Sequence, residues 1–183
     1  MLITPSQLID EPLAIDEAIP AGALEYAPDI RQIGPLTVTG QADLILEHRS
    51  ASEQVQDIRL RASYRGELEV LCARCITPVL TPLQGQFDLI FRPESADAEA
   101  GERAITADET EIGYYNESGL LLEDAVREQV LLSLPGRTLC KPDCKGLCPR
   151  CGQNLNLESC NCAETSQDPR WNALAGLAQK LVN

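Results

Sequence analysis

The sequence predicts an α+β protein: an antiparallel β-sheet meander, one long helix, and a C-terminal cysteine-rich zinc module closed by a short terminal helix. Three observations predict it. Between Leu36 and Phe91, runs in which apolar and polar residues alternate are separated by short polar turns, the pattern of an antiparallel sheet with one buried face. From Leu120 to Leu134 the apolar spacing changes to the helical period. Six of the eight cysteines then crowd between Cys140 and Cys162, a clustering that core packing does not produce. The predicted organisation is an extended N-terminal arm over 1–35, a body over 36–135 with an acidic loop at 93–110, and a zinc-binding tail over 136–183.

In the arm, Leu8, Ile9, Leu13, Ile15 and Ile19 are broken up by Pro5, Pro12, Pro20, Pro28 and Pro35. Prolines so spaced allow no long helix, so an extended segment with one short strand, packed by its aliphatics, is expected. Leu36–Glu47 alternates as a strand, with Gly40 marking a bend or bulge. A polar turn covers His48–Gln54. Val55–Tyr64 alternates again, Gly66 precedes a further run Leu68–Cys72, and Val79–Phe91 follows, so Cys72 and Cys75 sit in a turn between strands. Pro93–Thr110 is acidic and lacks periodicity, which reads as a flexible loop. Glu111–Tyr115 is one more candidate strand.

The helix is predicted from Leu120 to Leu134, with Leu121, Leu122, Ala125, Val126, Val130 and Leu134 on one apolar stripe interrupted by Gln129. Asn116 or Ser118 is its expected cap, acids in the first turn complement the dipole, and Pro135-Gly136 ends it. The terminal helix is expected from Asp168 as N-cap, with Pro169 at its first position and Trp171, Leu174, Leu177 and Leu181 on a face that packs against the rest of the chain.

The net charge of −13 argues against electrostatic coating of nucleic acid. Residues 1–30 carry six acids and no base, and 93–135 carry eleven acids against two bases; 136–183 carry six bases against four acids. Such acidic blocks suit a basic protein partner or simply keep the surface soluble. No apolar run has the length of a membrane span, and the first 20 residues lack the basic start of a secretory signal, so a cytoplasmic protein is expected. Thiols stay reduced there, and clustered cysteines read as metal-binding or catalytic.

Cys148-Pro149-Arg150-Cys151-Gly152 reads as a zinc knuckle. Two thiolates spaced by two residues converge on one tetrahedral ion, and the following glycine permits the positive φ that turns backbone N–H groups toward sulfur. Eight cysteines fill two four-sulfur sites: Cys148 and Cys151 with Cys160 and Cys162, and Cys72 and Cys75 with Cys140 and Cys144. The second would staple the sheet turn to the chain beyond the helix. A single zinc with leftover thiols is the structural competitor. Cys72-x-x-Cys75 also admits thiol-redox sensing or disulfide exchange, with Arg74 lowering a thiol pKa. Such motifs normally open a helix, and Thr77-Pro78 opposes one here. The sole histidine, His48, offers no relay for a Cys-His or Ser-His enzyme, and no phosphate-binding glycine loop is present. No catalytic residue and no small-molecule substrate are therefore expected.

Cys72-x-Arg74-Cys75 after a strand, the acidic middle, Asn116-Glu117-x-Gly119 leading into the Leu-rich helix, Cys144-Lys145-Gly146-Leu147-Cys148-Pro149-x-Cys151-Gly152-x-Asn154-Leu155-Asn156, and Asp168-Pro169-Arg170-Trp171-x-Ala173-Leu174 together resemble the YceD family of large ribosomal RNA subunit accumulation proteins, over about Leu36 to Leu181. Some members of that family lack the second cysteine group, keeping a pair of the Cys72/Cys75 type and a pair after the helix, which supports the two-site grouping. The resemblance implies a bacterial cytoplasmic factor, or a plastid one in plants, needed for normal large-subunit rRNA levels, whose gene commonly neighbours that of a small zinc-containing ribosomal protein. It implies no catalytic activity. The expected partners are a ribosomal protein or a large-subunit rRNA precursor, with Arg150, Lys141 and Lys145 as candidate phosphate contacts.

Overall fold

A computed structural model describes residues 1–48, 54–97 and 111–162. The strands are β1 (Leu2–Ile3), β2 (Leu13–Ile19), β3 (Ile30–Gln32), β4 (Leu36–His48), β5 (Gln54–Leu71), β6 (Pro78–Pro93), β7 (Ile112–Tyr115) and β8 (Leu120–Leu121), and the helix α1 spans Leu122–Ser133. The main sheet runs β2-β4-β5-β6-β7, and β3 also pairs with β5.

β5 organises this sheet. At 18 residues it extends about 60 Å, because Ile58, Leu60, Ala62, Tyr64, Leu68 and Val70 face the core while Arg59, Arg61, Ser63 and Arg65 lie on the opposite face. The runs expected as separate strands on either side of Gly66 are therefore one strand. β4 covers its first part, from Thr37↔Arg65 to His48↔Gln54, and β3 continues along the same edge at Ile30↔Val70. β6 lies along the other edge, from Ile58↔Phe91 to Leu71↔Pro78, which leaves Cys72–Thr77 as the hairpin tip.

The stretch expected as an arm with one short strand holds three. β2 pairs with β4 over all seven residues, β3 pairs with β5, and β1 pairs with β8. Its prolines fall between these strands, so they bar a long helix, Pro5–Leu8 forming only a short 3-10 turn, without barring pairing. Ile3, Leu8, Ile15 and Ile19 are buried, a contribution of roughly 1.5–3 kcal/mol each, whereas Ile9 is exposed. Gly40 makes no bulge: Thr39↔Ser63, Gly40↔Ala62 and Gln41↔Arg61 run in continuous register. A Cβ at Gly40 would lie 2.1 Å from the Arg61 carbonyl oxygen, so the glycine permits close approach instead.

The purely antiparallel meander is corrected in one place. β7 pairs in parallel with the last residues of β6, from Ile90↔Ile112 to Pro93↔Tyr115, an arrangement that a tight hairpin turn cannot make. Glu94–Asp97 forms a short 3-10 helix within the region expected to be loop; the remainder of that acidic stretch lies outside the described residues, as does the expected terminal helix.

The helix starts two residues later than its pattern predicts. Leu120 and Leu121 are recruited as β8 against β1, Leu121 becomes the N-cap, and no side chain caps the start. The Leu122 N–H bonds instead to the Met1 carbonyl at 3.0 Å, so the residue just before β1 caps the helix in place of Asn116 or Ser118. Leu122, Ala125, Val126 and Val130 are buried against the sheet, while Leu121 is exposed. Tyr64 donates from its hydroxyl to the Gln129 carbonyl at 3.1 Å, fixing the helix over the inner face of β5. At the opposite end, buried Arg92 bonds Asp57 at 2.9 and 3.2 Å and also meets Glu47, joining β6 to β5 and β4.

Candidate metal centres

The eight cysteines form two groups, Cys72, Cys75, Cys140 and Cys144, and Cys148, Cys151, Cys160 and Cys162; within each, the four sulfurs lie within 4.8 Å of one another. None forms a disulfide.

The first centre is built on the β5–β6 hairpin tip. The Cys72 N–H donates to the Thr77 carbonyl at 2.9 Å, and the Ile76 N–H to the Cys72 carbonyl at 3.0 Å. This turn requires the left-handed region at the residue after the second cysteine, and Ile76 adopts φ 60 there, an uncommon conformation for a β-branched residue. The second centre repeats the turn. Cys148 N–H donates to the Gln153 carbonyl at 2.8 Å and Gly152 N–H to the Cys148 carbonyl at 2.9 Å, with Gly152 at φ 76. The two knuckles are thus one hydrogen-bonded motif on two unrelated stretches, one closed by the glycine that the motif favours and one by isoleucine.

After α1, the chain returns to the hairpin tip. Ala73 N–H donates to the Thr138 carbonyl at 2.9 Å, and Leu147 N–H to the Arg74 carbonyl at 3.1 Å. The Arg74 guanidinium donates to the Cys144 carbonyl at 2.7 Å; Arg74 is thus an orienting side chain, which its CxxC setting does not reveal. These contacts bring Cys140 Sγ within 3.5 Å of Cys75 Sγ and Cys144 Sγ within 3.8 Å of Cys72 Sγ. Val79, Leu139 and Leu147 pack around the sulfurs, and Cys72, Cys75 and Cys144 are buried while Cys140 is exposed. In the second centre only Cys148 is buried; Cys151 and Cys162 are exposed.

Backbone dipoles favour thiolate at one sulfur of each group. N–H groups of Cys140, Arg74 and Cys75 directed at Cys72 lower its pKa to about 6, and those of Cys151 and Arg150 lower that of Cys148 to about 6. The Thr77 hydroxyl beside Cys75, with Oγ1 3.2 Å from Sγ, lowers the Cys75 pKa. Hydrogen bonds between thiols have the opposite effect elsewhere: the bond to Cys75, with burial, pushes Cys140 up to about 12, and the bonds to Cys151 and Cys148, with burial, push Cys162 up to about 12. Four close sulfurs ionise together only around a cation. All-sulfur donor sets with knuckle turns and N–H groups aimed at sulfur suit Zn2+ in a closed four-coordinate site.

Sequence reasoning misses Asn156. It was legible only as a turn former, yet its side-chain amide donates to Cys144 Sγ at 3.3 Å. His48 belongs to neither group; it ends β4, exposed, with Nε2 3.1 Å from Gln54 Nε2. Lys141, Lys145 and Arg150 are exposed around the two centres.

Fold and site define a class: a mixed-sheet α+β protein whose hairpin-tip knuckle gathers sulfurs from a second, knuckle-bearing segment beyond its helix. The family described as large ribosomal RNA subunit accumulation protein YceD matches residues 60–178, and the chain belongs to this family. It is 39% identical to an uncharacterized protein of Mycobacterium tuberculosis over 101 residues, 55% of this chain and 45% of that protein. It is 25% identical over 177 residues to YlbN of Bacillus subtilis, covering 95% of this chain and 92% of that protein. A shorter match, 32% over 56 residues, 31% of this chain and 17% of the relative, is to the chloroplastic large ribosomal RNA subunit accumulation protein YCED homolog 1 of Arabidopsis thaliana. The chain spans about half the length of the mycobacterial relatives it matches. No solved structure matches it. Among the described residues, no helix is long and apolar enough to cross a membrane.

Proposed function

We propose that this protein is a non-enzymatic factor of large ribosomal subunit biogenesis, supporting accumulation of large-subunit rRNA in the cytoplasm, with zinc at both cysteine centres as scaffold. The observation that carries the reading is the family match running from β5 through both knuckles together with two compact four-sulfur groups. A tetrathiolate zinc site has all four positions filled by protein and none open for substrate. The chemistry that remains is binding.

The two parts of the surface suit different partners. The acidic stretches face a basic ribosomal protein, and exposed Lys141, Lys145 and Arg150 around the two centres meet phosphates of a large-subunit rRNA precursor. The thiol-exchange reading finds its strongest support in the low pKa of Cys72. Cys72 is buried and shares its surroundings with Cys144 as well as Cys75, and the CxxC lies in a hairpin turn with no helix after it; metal scaffolding accounts for both facts.

The test is depletion of the protein followed by measurement of large- against small-subunit rRNA, with rescue by the intact chain, by Cys148→Ser, and by Lys141→Ala/Lys145→Ala/Arg150→Ala. The reading expects a fall in the large-to-small ratio, restored by the intact chain and poorly by either variant. An unchanged ratio on depletion overturns it. Full rescue by the triple variant leaves the ribosomal role and removes the phosphate contact.

A further inference from the structure

The loop Gly152–Ser159 is closed at both ends by the second centre, since Cys151 precedes it and Cys160 follows. Its middle nevertheless reaches the first. Asn156 accepts at Oδ1 from the Lys145 N–H at 2.9 Å, and donates from Nδ2 to Cys144 Sγ at 3.3 Å and to Asn154 Oδ1 at 2.9 Å. The amide orientation follows from chemistry: a backbone N–H only donates, so the oxygen must face Lys145, which turns the NH2 group toward sulfur. Asn154 Oδ1 accepts from the Asn156 N–H at 3.0 Å, and Leu155 N–H donates to the Gly146 carbonyl at 2.9 Å, so the loop fixes the side chain before it touches Cys144.

We infer that Asn156 is a positioning residue that couples the two centres. An ion at Cys148, Cys151, Cys160 and Cys162 closes the loop, the closed loop presents the Asn156 NH2 to Cys144, and occupancy of the exposed centre thereby sets how tightly the buried centre holds its own ion. This rests on the reading of both groups as metal sites. A donor to a ligating sulfur stabilises the charge that the ion needs, and loss of such an outer partner typically costs 10–100-fold in metal affinity. Coupling between sites is reciprocal: an ion in the buried centre strengthens binding at the exposed one by the same factor. The exposed centre exchanges with solvent zinc most readily, so the coupling makes the staple between hairpin and tail respond to zinc supply.

The test uses the full chain loaded with 113Cd for NMR and with zinc for release to a chelator. Cys162→Ser removes the exposed centre, so the 113Cd resonance that survives belongs to the buried one. Asn156→Asp keeps the oxygen that accepts from Lys145 and replaces the donor by a carboxylate facing sulfur; Asn156→Ala removes both. The expected result is that both Asn156 variants move the buried-centre resonance, leave the other in place, and speed zinc release from the buried centre tenfold or more. Cys162→Ser speeds that release comparably, and adding Asn156→Ala to it gives little further change, because the two act through one contact. Unmoved resonance and unchanged release in Asn156→Asp overturn the coupling while leaving two metal sites standing, as does full additivity of Cys162→Ser and Asn156→Ala. An intact chain that holds fewer than two ions overturns the coupling and the metal reading together.

Discussion

The two knuckles make the same turn with the same hydrogen bonds, yet they do different structural work. The first joins sulfurs from Cys75 and Cys140, 65 positions apart, whereas the second joins Cys151 to Cys160 across nine positions. Closing the longer loop costs about 2 kcal/mol more chain entropy by the logarithmic rule. An ion in the first centre therefore constrains the sheet, the helix and the tail relative to one another, while an ion in the second orders its own ribbon. The buried centre is a staple, and the exposed one is a clip on a local loop.

The largest effect expected from this contrast follows Cys144→Ser. Zinc binding at structural sites is worth on the order of 10 kcal/mol, and loss of the first centre should free residues 136–162 from the hairpin tip. Mass spectrometry of the native protein should show one ion fewer, and limited proteolysis should cut between α1 and Cys148. A tail that stays protected would show that backbone bonds such as Leu147 N–H to Arg74 suffice. Cys162→Ser comes next: it should remove the other ion, leave the tail docked, and weaken the staple by about 1–2 kcal/mol through the coupling. Equal proteolysis of the two serine variants would erase the distinction between staple and clip.

A smaller effect separates the turns themselves. Ile76 at φ 60 carries left-handed strain that Gly152 does not, about 1–2 kcal/mol for a residue with a Cβ, offset by up to about 1 kcal/mol of glycine chain entropy. Ile76→Gly should raise stability by about 0.5 kcal/mol, and Gly152→Ile should lower it by at least as much, read from denaturant midpoints of the zinc-loaded protein. A loss on Ile76→Gly would show that the half-exposed isoleucine makes a contact that outweighs its strain.

The smallest difference concerns the metal-free thiols. Cys72 and Cys148 fall to about 6, below the thiol value of 9.0, while Cys140 and Cys162 rise to about 12. A depressed folded pKa stabilises the fold above pH 9, and that contribution is lost as pH falls through 6; a raised one stabilises below 9 and is lost as pH rises through 12. Stability of the chelated protein should accordingly climb from pH 6 to 9 and decline above it. Thiolate absorbance of the chelated protein should rise near pH 6, from Cys72 and Cys148, and again near 12, from Cys140 and Cys162; a single rise near 9 would contradict the backbone N–H arrangement at the knuckles.

How much of this was legible in the sequence depended on range. Period-two alternation marked β4 and β6 because each has one face on the core, and period 3.6 marked α1 through Leu122, Ala125, Val126 and Val130. Prolines concealed β2 and β3, since a residue pattern records where a helix is barred but not that the edges of β4 and β5 are open to them. The start of α1 moved because Leu121 had a partner in Leu2, 119 positions away. The parallel entry of β7 had no local signal at all.

The sequence by itself determined the second knuckle, the apolar faces and the charge blocks, because glycine after cysteine, alternation and composition act over a few neighbouring residues. The tertiary structure alone decided that β5 runs unbroken past Gly66, that Met1 caps the helix, and that Asn156 leaves its own ribbon to serve Cys144. Those outcomes depend on which distant groups arrive within bonding distance, and chain order does not encode a distance until the chain has folded.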